Sequence, residues 1–130
     1  MSGRLRPKRL GLIMSDFVFL LRDDAAGVEQ AMGTPERAQK SLLAWVAWIK
    51  QLEAKRQLKS PGLPLEQAGK TVRGSQLTVT DGPFTEAKDM VLGFIVIEAR
   101  DLEHALEIAK GCPIVLGGGA VEIRPVLDAL

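Results

Sequence analysis

Two short runs, Phe17-Val18-Phe19-Leu20-Leu21 and residues 91–97 (VLGFIVI), constrain this chain more than any other feature. Each has the length of a strand, is rich in aromatic or β-branched residues, and lacks polar alternation. A strand of an antiparallel sheet with one wet face reads apolar on one side and polar on the other. These two read apolar on both sides, so any fold must cover both faces of the sheet that holds them. They are also far shorter than the roughly 20 apolar residues a membrane helix needs, and no segment reads as membrane-spanning.

The rest of the chain can be placed around these runs by its periodicity. Thr34-Pro35 opens a helix, with Thr34 as cap and Pro35 at the first helical position, where its missing N–H costs nothing. Ala38, Leu42, Trp45, Ile49 and Leu52 repeat at spacings of four and three, which predicts an apolar stripe on a helix running to about Leu58. Ser60-Pro61-Gly62-Leu63-Pro64 reads as its break. Thr71-Val72 and Leu77-Thr78-Val79-Thr80 alternate as a second, edge-like strand, and Asp81-Gly82-Pro83 reads as a turn into the run at 91–97. Asp101 caps a second helix carrying Leu102, Ala105, Leu106 and Ala109, closed by Gly111 and Pro113, and residues 120–126 form a last strand.

The order βαββαβ with right-handed crossovers predicts an α+β, ferredoxin-like sheet in which strands one and three are central and both helices cover one face. The other face would then present more apolar surface than the few hundred Å² a monomer tolerates. An isologous homodimer, sheet against sheet, covers it with a single surface. At 130 residues there is material for one core, and 46% hydrophobic with 25% charged residues excludes a disordered chain.

Arg4, Arg6, Lys8 and Arg9 make residues 1–13 a basic extension without an acid, and removing these four charges from the formal +1 leaves a net −3 on residues 14–130. Such an arm could contact nucleic acid or an anionic membrane, and Leu10 onward resembles the start of a short signal-peptide core, but no cleavage site follows. The expectation is a disordered tail or an upstream misreading with translation beginning at Met14, no nucleic-acid partner, and residues 14–130 as the domain. One cysteine, Cys112, and one histidine, His104, cannot build a metal site between them, and no dinucleotide fingerprint is present, so no cofactor is implied. The lone cysteine suits a reducing, cytoplasmic setting.

The chemistry-bearing residues are few. Asp81 ends a strand beside Pro83 and Phe84, where partial desolvation could make its carboxylate a base or an orienting acceptor; the alternative is an Asp-Gly turn that bonds its own backbone. Arg22 could hold a ligand carboxylate, or bridge to Asp23, Asp24 or Glu98 at the sheet rim. Trp45 and Trp48 could line a pocket with Phe84, or pack in the core, Trp48 lying nearer the edge of the stripe. The candidate site is therefore Asp81 as base, with Arg22, Trp48, Gly82, Pro83 and Phe84 as ligand contacts. His104 reads as solvated on the second helix, Gly117-Gly118-Gly119 as a connector, and Cys112 as a packed thiol.

Asp81-Gly82-Pro83-Phe84-Thr85-Glu86, Leu92-Gly93-Phe94, Ala105-Leu106-Glu107-Ile108-Ala109, Cys112-Pro113 and Val121-Glu122-Ile123-Arg124-Pro125 together resemble the YCII-related family, in its branch carrying the Asp-Gly-Pro-Phe motif, over residues 17–126. The resemblance implies a dimeric αβ barrel. Some members of the wider family use a His–Asp pair with the histidine on helix one; this chain departs from that pattern, with Trp45 at the corresponding position and its histidine on helix two. Members of this branch resemble proteins encoded near alternative sigma factors, which implies an accessory or regulatory role. Two readings stand: a homodimeric module that binds a small molecule or acts as an accessory protein, and a cofactor-free lyase or isomerase in which Asp81 moves a proton on a small anionic substrate.

Overall fold

A computed structural model describes residues 13–82 and 89–127 of the chain. Four strands form one antiparallel sheet: β1 (Ser15–Asp23), β2 (Leu58–Pro64), β5 (Met90–Ala99) and β6 (Ala120–Pro125), in the spatial order β2-β5-β1-β6. β3 (Lys70–Arg73) and β4 (Thr78–Asp81) pair only with each other, as a hairpin. The helices are α1 (Ala25–Met32), α2 (Pro35–Ala54), α3 (Leu102–Ala109) and the single turn α4 (Pro113–Leu116).

The two doubly apolar runs are the central strands β1 and β5, as their composition requires. Opposite residues alternate between the sheet's two faces. Phe17, Phe19 and Leu21 on β1 meet Ile97, Ile95 and Gly93 on the helix side, where Trp48 and Leu52 of α2 and Ala105 and Ala109 of α3 close over them. Phe19, Ile95 and Ile97 have no solvent exposure.

The other face belongs to Val18 opposite Val96, Leu20 opposite Phe94, and Leu63 of β2 beside Phe94. No described helix packs there: Val18, Leu20, Phe94 and Val96 are only half-buried, and Leu63 is 63% exposed. The sheet is thus apolar on both faces but helix-covered on one.

Both long helices start where their caps predict. Thr34 Oγ1 accepts from the Arg37 N–H at 3.1 Å, with Pro35 as the first helical residue, and Asp101 Oδ1 accepts from the His104 N–H at 2.8 Å. α2 stops at Ala54, four residues before the predicted end near Leu58. Arg56 takes a left-handed φ of 57°, while the Gln57 N–H reaches back to Leu52 O and the Arg56 N–H to Glu53 O, a Schellman closure made without glycine.

That early stop corrects the second strand. The sheet's edge is not formed by residues 71–80, which make the separate hairpin, but by Leu58–Pro64, the segment whose prolines and glycine read as a break. An edge strand tolerates proline because one row of its N–H groups needs no partner. Register shifts between Leu58 and Ser60 and between Ser60 and Leu63 take up the residues that cannot join the ladder. α1, which the periodicity did not predict, is capped by Asp24 and lies against α2, tied there by Ser41 Oγ donating to Ala31 O at 2.7 Å.

Gly62 permits this edge. Its φ is +60°, and a Cβ there would stand 1.7 Å from the Phe94 carbonyl oxygen. Gly74 in the hairpin has φ +75° but open space around the missing Cβ. Gly74→Ala is therefore expected to cost about 1–2 kcal/mol, the left-handed penalty alone, and Gly62→Ala more than about 3 kcal/mol, because β2 must also move off β5. Urea unfolding of the two variants checks the difference; equal losses would contradict it.

Candidate functional site

Arg22 sits where β1 leaves the sheet, just past a register shift between Leu21 and itself. Its side chain lies on the helix-free face, 22% exposed, at the end of the Val18-Leu20 row. Nε donates to Asp89 Oδ1 at 2.8 Å, one terminal nitrogen to Glu122 Oε1 at 3.1 Å, and the other to the Asp89 carbonyl at 3.4 Å. The bond to Asp89 leads the effects that raise the guanidinium's pKa above its ordinary value. Glu122 is shared, its second oxygen accepting from Arg124 at 3.3 Å. The expected rim bridge exists, but its partners are Asp89 and Glu122 rather than Asp23, Asp24 or Glu98. Asp24 instead caps α1, and Asp23 accepts from the Asp24 N–H at 2.8 Å. Glu122 was legible in principle, because the flanking Val121 and Ile123 claim the core face and leave it the other.

Asp81 ends β4 on the hairpin. Its side chain is 90% exposed and pairs with Lys70 Nζ at 2.5 Å. Gly82 is held through its backbone: its N–H donates to Gly69 O at 2.5 Å, and its carbonyl accepts from Thr71 Oγ1 at 3.0 Å. Pro83 and Phe84 lie outside the described residues.

Trp48 belongs to the core, 6% exposed, and stands at 5.4 Å and 54° to the half-buried Trp45 ring. It approaches the sheet from the helix side, whereas Arg22 lies on the opposite face. Arg22 and Trp48 therefore lie on opposite sides of the sheet.

Trp48 does line a shallow groove of about 280 Å³ between α2 and α3, together with Leu52, Lys55, His104, Ile108 and Gly111. His104 is less solvated than its polar neighbours suggested. Nδ1 accepts the Arg100 backbone N–H at 3.0 Å, which leaves the proton of the neutral ring on Nε2. Burial, then the Arg100 charge, lowers its pKa against a smaller opposing effect of Asp101. Cys112 is fully buried beneath α4, and burial pushes its thiol pKa up.

Residues 16–129 match the YCII-related domain. The chain belongs to the YCII-related family. An uncharacterized protein of Rhizobium meliloti (strain 1021) is 37% identical over 62 residues, covering 45% of this chain and 50% of its own, so the YCII-related chain matches about half the length of that curated relative. Among solved structures, 5-chloro-2-hydroxyhydroquinone dehydrochlorinase from Burkholderia phenoliruptrix AC1100, in complex with 2,5-dihydroxybenzoquinone, is similar at a TM-score of 0.46 and 17% identity, over 88% of this chain and 94% of its own. In this YCII-related domain no described helix is long and apolar enough to cross a membrane.

His104 gives the domain a pH signature. Its folded pKa lies below the ordinary 6.5, so its contribution to stability is complete above pH 6.5 and is lost as pH falls through the lower folded value. Thermal unfolding followed from pH 8 down to pH 5 (on the order of the histidine range) is expected to show a decline in Tm that His104→Gln reduces. An unchanged profile in that variant would contradict the assignment.

Proposed function

We propose that this YCII-related domain, residues 14–130, works as a sheet-to-sheet homodimer of the branch marked by Asp-Gly-Pro-Phe, and that it serves as a small-molecule-binding or accessory module of a reducing, cytoplasmic setting. The observation that carries the reading is the helix-free face of the sheet. Val18, Leu20, Leu63, Phe94 and Val96 form one apolar surface that no described helix covers. A second copy of the same surface satisfies it with no new chemistry. In such a pair the Arg22–Asp89–Glu122 network stands at the end of the interface row, where an anionic ligand could exchange with a carboxylate partner of the guanidinium. The motif residues 81–84 are the remaining part of the proposed rim site. A lyase or isomerase with Asp81 as base has less support, because that carboxylate stands in water beside Lys70.

Two readouts of one thermal-shift experiment on the full chain test this. A homodimer couples unfolding to dissociation, so Tm is expected to rise with protein concentration, and Val96→Arg is expected to remove that dependence. A small carboxylate, phenol or lactone that binds the rim is expected to raise Tm further, and the rise to vanish in Arg22→Gln. A Tm independent of concentration would refute the dimer; the failure of Arg22→Gln to reduce the shift of any of these ligands would refute the rim site.

A further inference from the structure

The groove between α2 and α3 lies on the other side of the sheet from the rim and has its own unpaired chemistry. Trp48 is 6% exposed, yet among the described residues its indole N–H has no acceptor. Buried tryptophan N–H groups ordinarily find one, and here the groove is the side from which an acceptor can reach the indole.

Gly111 keeps the approach to this donor open. A Cβ at position 111 would sit 3.4 Å from Trp48 Nε1 and 3.9 Å from Cδ1, so any side chain there would occupy the space a ligand atom needs. Leu52 and Ile108 supply apolar wall beside the indole.

Besides the indole, this opening is lined by Lys55, His104 and Glu107 and by the amides of Gln51 and Gln57, which can turn either an N–H or an oxygen to a ligand. His104 spends Nδ1 on the Arg100 N–H, which turns its Nε2–H outward as a donor. Lys55 has no ion-pair partner among the described residues, and the groove's acid, Glu107, is engaged by Lys110 at 2.8 Å. A volume of about 280 Å³ suits a molecule of one ring.

We infer that this groove binds a small aromatic carboxylate, its ring against Trp48, Leu52 and Ile108 and its carboxylate accepting from the Trp48 N–H with Lys55 and His104 as the further donors. The site is complete within one chain and does not depend on the dimer or on Arg22.

Benzoate is the probe, titrated into ¹⁵N-labelled full-length protein. The two tryptophans give two indole N–H signals, with Trp45 as the internal control. The Trp48 signal is expected to move downfield and saturate in the millimolar range. Neutral benzamide is expected to bind at least about fivefold more weakly, since charge-assisted hydrogen bonds are roughly twice as strong as neutral ones. Lys55→Gln should weaken benzoate by a similar factor, and Gly111→Ala should abolish the shift with the fold intact by its dispersed spectrum. Arg22→Gln should leave the titration unchanged, which separates this site from the rim. No saturable movement of the Trp48 signal, equal binding of benzamide, survival of the shift in Gly111→Ala, or its loss in Arg22→Gln would each overturn the inference.

Discussion

The pairing of β1 with β5 is the interaction on which the rest of the molecule hangs. Phe19 and Ile95 face each other across the two central strands with no solvent exposure, and Ile97 joins them opposite Phe17. Burial of each such side chain contributes about 1.5–3 kcal/mol, and every other element is placed by what it adds to this pair. β6 and β2 extend it on either side. α2 and α3 close one face with Trp48, Leu52, Ala105 and Ala109. Because the same strands carry Val18, Leu20, Phe94 and Val96 between the core residues, the arrangement that buries one face leaves a second apolar face that no described helix covers.

That arrangement separates two chemical environments. The helix-free face ends in a charge-balanced network in which Arg22 is held by Asp89 and Glu122. The helix side ends in a groove lined by Trp48, Lys55 and His104 with the side chains of Gln51, Gln57 and Glu107.

Much of the fold could be read from the residues because it follows from local chemistry. Unbroken apolar runs identify the central strands, and Thr34-Pro35 and Asp101 mark the helix starts through side-chain oxygens bonding Arg37 and His104. β2 escaped because Pro61, Gly62 and Pro64 signal a break everywhere except at an edge, where bulges and a left-handed glycine let the chain follow its neighbour anyway. The end of α2 escaped because arginine, not glycine, takes the left-handed position. The site was harder to read for a different reason: sequence spacing cannot say which face of a sheet a side chain reaches from outside. Arg22 and Trp48 were both plausible ligand contacts, yet one comes to the sheet with β1 and the other over it from α2. Asp81 pairs with Lys70 rather than with its own turn, on a hairpin that forms a separate two-stranded sheet.

The central claim is that the second apolar face is covered by another copy of the chain, and molar mass in solution tests it most directly. Light scattering across a size-exclusion peak of the full-length protein at micromolar concentration is predicted to give about twice the chain mass of 14.1 kDa. A uniform mass equal to one chain would mean that the sheet is stable with its apolar face in water, and would contradict the account.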